Sequence, residues 1–181
     1  MPAASSSPAP IDPEPTANRN CFYHMDTNTP IGLDAQATAQ LSAGLNDLLA
    51  DLTVFYMNTR GFHWNIRGKE FFELHAKFEE LYTDLQLKID EVAERVLTLG
   101  GHPVHTHEEY LAVSKVPVVK DVTDGVEALK HCVAAFSVIL LRERALLHLS
   151  GEAGDEGTNA LMSDYIREQE KLVWMYRAYL G

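Results

Sequence analysis

The sequence predicts an all-α protein, a bundle of four long helices, on three observations. Apolar residues recur every three or four positions through four separate long stretches. No two alternating runs pair as a β-hairpin. A long connection with two prolines separates the first two stretches from the last two, leaving enough chain to cross the length of a bundle.

The first stretch runs from about Asp34, whose side chain suits an N-cap, to Phe62, with Leu41, Leu45, Leu48, Leu52, Phe55 and Phe62 on its apolar face. The second runs from about Lys69 to Leu99. Its stripe begins at Phe71, Leu74 and Phe78 and ends at Val92, Val96 and Leu99, where the glycine pair at 100–101 stops it. The connection "HPVHTHEEYLAVSKVPVV" follows, and "THEEYLA" within it predicts a short extra helix. The third stretch covers about Thr123 to Leu149, facing inward through Val126, Leu129, Val133, Phe136, Leu140 and Leu147. The fourth covers about Glu156 to Leu180, through Leu161, Tyr165, Leu172, Met175 and Tyr179.

Residues 1–30 are rich in Pro, Ser, Ala and Thr and carry no helical period, so they read as a flexible tail ahead of a single domain over residues 31–181. Apolar residues make up 46% of the 181 and charged residues 23%, an ordinary globular balance. No apolar run approaches the roughly 20 residues of a membrane span, and the N-terminus lacks the basic and apolar segments of a secretory signal. A cytoplasmic location is the expectation. Cys21 and Cys132 form no disulfide framework. A net charge of -11 attracts cations and repels nucleic acid.

The chemistry concentrates in "GFHWNIRGKEFFELHAKFEELYTDLQLKIDEVAER", residues 61–95. With Phe71 at zero, the apolar stripe of the second helix centres near 320°, while His75, Glu79, Asp90 and Glu94 fall at about 40°, 80°, 100° and 140°. These ligand-type residues share a second stripe beside the buried one, and His63 precedes the turn that leads into it. His75 and Asp90 lie about 22 Å apart along the axis, whereas metal–ligand bonds are about 2 Å long. One chain therefore cannot bring both to one ion. Two copies of the helix, antiparallel about a two-fold axis, can set Asp90 and Glu94 of one against His63 and His75 of the other. Imidazoles with carboxylates suit Fe(II), Mn(II) or Zn(II). Taken alone, "DEVAER" also describes a solvated face with an internal Glu–Arg pair. The motif Glu-x-x-His, which supplies a di-iron centre inside a single bundle, occurs nowhere in the chain.

The run H-W-N-x-x-G-x-x-F-x-x-L-H with D-E-V-A-E-R closely resembles the signature of the Dps family, the miniferritins. The likeness continues through "EYLAVS", "GDEGT" and "QEKLVWMYRAYL", covering roughly residues 34–180. The resemblance implies a ferritin-like four-helix bundle assembled as a hollow homododecamer, with ferroxidase sites at its two-fold interfaces. It implies oxidation of Fe(II), usually by hydrogen peroxide, and storage of the ferric product. His63 and His75 match ligands from one chain, Asp90 and Glu94 match ligands from its neighbour, and Glu79 matches an acidic position completing a second iron subsite. Paired irons give two electrons to one peroxide and so avoid hydroxyl radicals, with Zn or Mn as substitute metals. Trp64 and Tyr82 resemble aromatics that flank the site and absorb stray oxidising equivalents; core packing and interface filling explain them equally well.

Three features depart from the family or lie beside its site. Many relatives bind DNA through a lysine-rich tail, but this tail has no lysine and one arginine, Arg19, beside Asp12, Glu14 and Asp26, so weak or absent DNA binding is expected. In relatives the turn before the last helix lines acidic pores; here "GEAGDEGTNAL" offers Asp155 and Glu156, with Glu152 beside them, but Asn159 and Ala160 stand where some relatives carry another aspartate. His102, His105 and His107 with Glu108 and Glu109, and separately Cys21 with His24, are sparse groups able to attract Zn(II) or equally to bind nothing. The competing readings are a nucleoid-associated DNA-binding protein with incidental iron chemistry, a shell preferring Zn(II) or Mn(II), and a plain bundle without metal.

Overall fold

A computed structural model describes residues 28–181, so residues 1–27 of the tail, with the Cys21/His24 pair, lie outside the described residues. Five helices follow: α1 (Ala35–Asn65), α2 (Phe71–Thr98), α3 (His107–Val113), α4 (Gly125–Glu152) and α5 (Glu156–Leu180). The four long helices form the bundle, and α3 is the short helix expected in the connection. No helix among the described residues is long and apolar enough to cross a membrane.

The helix ends follow local chemistry. Asp34 accepts from the amides of Gln36 and Ala37 and starts α1. Thr106 and Glu109 form a reciprocal capping box at α3, Asp124 caps α4 through the amide of Glu127, and Asp155 caps α5 through that of Thr158. Gly100, at φ 84°, ends α2 in the left-handed conformation that a side chain disfavours.

The connection fixes the topology. Asn46, near the start of α1, donates to the carbonyl of His102 and accepts from the amide of Val104, both at 2.9 Å. Asp51, midway along, accepts from the amide of Lys115 at 2.6 Å and the hydroxyl of Ser114 at 3.0 Å. Asn58, further on, donates to the carbonyl of Pro117 and accepts from the amide of Val119. Beyond the end of α1, the amide of Arg67 reaches the carbonyl of Thr123 at 2.9 Å. The connection thus climbs α1 from bottom to top, and α4 descends parallel to α2 before α5 returns.

The core lies between these helices, where α1 meets α2 and α4, and α4 meets α5. Leu41, Leu45, Leu48, Leu52 and Phe55 of α1 are fully buried, and Phe55 meets Phe136 edge to face at 5.0 Å. The α2 stripe is inward as the spacing predicts, with Phe71 and Ile89 half-buried at its margin.

Two stripes differ from expectation. On α4 the buried line runs through Leu129, Cys132, Phe136, Ile139, Glu143 and Leu146; Val126 is exposed, and Val133, Leu140 and Leu147 are half-buried shoulders. On α5 the line is Met162, Tyr165, Ile166 and Gln169, while Met175 and Tyr179 are 44% and 45% exposed. Near its C-terminal end α5 stands off α2, leaving a groove lined by Leu74, Ala76, Leu129, Met175, Tyr176 and Tyr179.

Candidate metal centre

His63 sits in the last turn of α1 and His75 in the second turn of α2, facing each other across the turn at 66–70. Nδ1 of His63 lies 2.8 Å from the carbonyl oxygen of His75, and Nδ1 of His75 lies 2.8 Å from that of His63. A carbonyl only accepts, so each Nδ1 carries a proton and Nε2 is the nitrogen left for a ligand. The rings stack at 3.8 Å and 17°. Phe71 stacks on His75 at 5.0 Å, and Tyr82 meets His63 edge-on at 5.3 Å. His63 is 9% exposed and His75 half-buried, so packing and main-chain bonds fix both imidazoles before any ion arrives.

The acids on α2 are differently placed. Glu79, Asp90 and Glu94 are all exposed, and their carboxylates engage no hydrogen bond or salt bridge among the described residues. No three His, Cys, Asp or Glu side chains of the described residues gather into a metal-holding group within the protomer. The histidines are brought together; Asp90 and Glu94 stand far down the same helix. The donors suit a borderline divalent ion, since the remaining thiol of the described residues, Cys132, is fully buried in the core, and burial raises its pKa.

An arginine that the sequence reading passed over sits at the edge of the pair. The Arg60 guanidinium lies 4.8 Å from the Trp64 ring, 5.5 Å from that of Tyr82 and 5.6 Å from that of Tyr56, and donates to the Tyr56 hydroxyl at 2.8 Å. Trp64 remains 55% exposed. The i, i+4 spacing of Tyr56, Arg60 and Trp64 on α1 is the signal that could have revealed this cluster.

The turn before α5 divides its acids. Asp155 is 3% exposed, caps α5, and is paired with the Arg95 guanidinium, which also donates to the Thr158 hydroxyl at 2.9 Å. A Cβ on Gly157 would stand 2.9 Å from the guanidinium nitrogens, so glycine makes room for that arginine. The Asp155 carboxylate is therefore occupied inside the protomer and not held out to solvent, whereas Glu152 and Glu156 are exposed. In the connection, His102, His105 and His107 are exposed and form no group of three donors; Glu109 is taken up in the α3 cap, where its hydrogen bond to the Thr106 hydroxyl lowers its pKa.

Residues 42–181 match the ferritin-like domain family. A Dps protein from Vibrio cholerae, described as one of a broad superfamily of ferritin-like diiron-carboxylate proteins, superposes with a TM-score of 0.85 at 58% identity, covering 86% of this chain and 98% of its own. A Dps protein from Bacillus brevis superposes with a TM-score of 0.78 at 33% identity, covering 81% of this chain and 98% of its own. The DNA protection during starvation protein of Porphyromonas gingivalis is 50% identical over 82% of this chain and 93% of its own length. The chain belongs to the Dps family of ferritin-like proteins.

Proposed function

We propose that the chain is a miniferritin subunit that oxidises Fe(II), with hydrogen peroxide as oxidant, at sites shared between neighbouring subunits. The ferric product is stored inside a hollow homododecamer. The observation that carries this reading is the reciprocal His63–His75 lock. It presents two imidazoles, each with Nε2 outside the lock, at a place where the described residues of their own chain supply no third donor.

Asp90 and Glu94 of the partner subunit complete the donor set when two copies of α2 lie antiparallel, and Glu79 serves a second subsite. Neutral imidazoles hold Fe(II) without excess negative charge, while carboxylates favour the ferric product. Two Fe(II) ions give up one electron each, and one peroxide takes both electrons with two protons to leave two waters. Splitting peroxide by a pair of electrons avoids the one-electron route to hydroxyl radical. Trp64 and Tyr82 flank the site and intercept oxidising equivalents that escape. Zn(II) or Mn(II) can occupy the same donors. The exposed Glu152 and Glu156 are the candidates for drawing iron inward; Asp155 has a smaller part, being spent on Arg95.

The protein works in the cytoplasm on this reading. The names of its relatives raise DNA protection as a second reading, and the lysine-free tail weighs against direct binding.

The test is addition of Fe(II) under anaerobic conditions, then peroxide, with ferric absorbance followed for wild type and for His63→Ala combined with Asp90→Ala. The variant loses the fast phase. Equal kinetics in both proteins would remove these residues from the reaction.

A further inference from the structure

Between α4 and α5 lies a buried polar pair for which the iron chemistry has no use. Glu143 is 0% exposed and Gln169 is 1% exposed, and the Gln169 amide Nε2 donates to Glu143 Oε1 at 2.5 Å. The remaining oxygen of each side chain, Glu143 Oε2 and Gln169 Oε1, is buried with no partner among the described residues. Both are acceptors if Glu143 is ionised, and two buried acceptors without donors are costly. One proton resolves both. We propose that Glu143 is folded in as the neutral acid, its Oε2–H donating to Gln169 Oε1 to close a two-bond ring, so that α4 and α5 are latched by a proton that rising pH removes.

The surrounding charges favour this state, because every cation facing the pair is already engaged. From α2, the Lys88 ammonium binds Asp84 at 2.5 Å and Glu168 of α5 at 2.9 Å, and it lies 5.1 Å from the Tyr165 ring. On α4, Arg144 pairs with Glu170 of α5, and Arg142 is held by Asp47 and Asp51 of α1. Among the described residues, the two cations felt by Glu143, Lys88 and Arg144, are thus both already paired. Burial pushes its carboxyl up from 4.5 to about 8 and Glu168 adds to the rise, against the hydrogen bond from Gln169 and the pull of Lys88 and Arg144.

Between those two values the folded protein holds one proton more than the unfolded chain. Stability from this group is therefore full at acid pH, falls as pH rises through the interval, and levels off above it.

The experiment compares the assembled full-length protein with E143Q. In that variant a second carboxamide supplies the same two bonds, N–H in place of O–H, with nothing to titrate. At about pH 5 the two melt within a few degrees of each other; by about pH 9 wild type melts at least roughly 5 °C below the variant. Infrared spectra of wild type labelled with carbon-13 at glutamate show a neutral carboxyl band near neutral pH that fades in alkali. Parallel melting curves, a variant that fails to assemble, or absence of the neutral carboxyl band would each overturn the proposal.

Discussion

His63 and His75 hold each other through the main chain: each Nδ1–H donates to the other residue's carbonyl oxygen at 2.8 Å, with the rings 3.8 Å apart. The same two bonds join the end of α1 to the start of α2 and leave Nε2 of each ring as the outward nitrogen. Neither histidine can change without disturbing the other.

Replacing His75 by alanine removes one Nε2 donor and leaves the His63 carbonyl without its imidazole partner. The fold survives, at a cost of about 1 kcal/mol. Peroxide-driven Fe(II) oxidation slows by at least roughly 10-fold. Stopped-flow ferric absorbance beside a melting curve separates the two effects; oxidation at the wild-type rate would show that the imidazole is no ligand.

A site shared between subunits has a numerical signature. Let one variant lack both histidines (His63→Ala, His75→Ala) and another lack both acids (Asp90→Ala, Glu94→Ala). Each alone is inactive. After dissociation and random reassembly in equal amounts, half of the two-fold pairs are mixed and each keeps one intact site of two, so about a quarter of wild-type activity returns. Activity that stays at zero would place the whole site within one chain.

Asp51 is fully buried and satisfied by Arg142 Nε at 2.6 Å, by the Lys115 amide and by the Ser114 hydroxyl. Asp51→Ala leaves Arg142 Nε and the Lys115 main-chain N–H without their acceptor, while the other arm of the guanidinium keeps Asp47. The expected loss is roughly 2–4 kcal/mol, the cost of leaving buried donors unpaired. Denaturant unfolding measures it, and protease cleavage in the segment 114–122 is expected to rise first.

With 26 acidic residues against 15 basic ones and no lysine in the tail, the assembled protein cannot neutralise many phosphates. A gel shift with plasmid at roughly physiological ionic strength and neutral pH leaves the DNA unretarded. Tight retention of the plasmid would overturn this expectation.

The sequence exposed most of the scaffold because its strongest signals are local. Asp34 was readable as a cap, and Leu41 through Phe55 and Leu74 through Val96 as one-sided stripes, since period and capping need no knowledge of neighbours. The α4 stripe differs at Leu140 and Leu147 because Glu143, a charged-type residue, takes the buried position between Ile139 and Leu146 through its pairing with Gln169, and Val126 is exposed in the first turn. On α5, Met175 and Tyr179 looked inward by type, yet α5 stands off α2 there and exposes them. At the candidate site, the residues and their 15-position separation were legible. The lock between His63 and His75 was not, because it joins side chains to main-chain oxygens across a turn. Asn46, Asp51 and Asn58 likewise resemble an ordinary solvent face until the connection folds over them.

Those three side chains fasten the long connection to α1 at successive heights, as marks on a ruler fasten a tape. An insertion between two marks must bulge outward where it occurs, because the next mark resets the chain. The start of α4, and with it the register of the second half of the bundle, is thereby insulated from length changes earlier in the connection. Loop-length variants with residues added between Val104 and Ser114 should keep α4 in place, whereas the same insertion after Thr123, beyond its main-chain bond to Arg67, should shift its start.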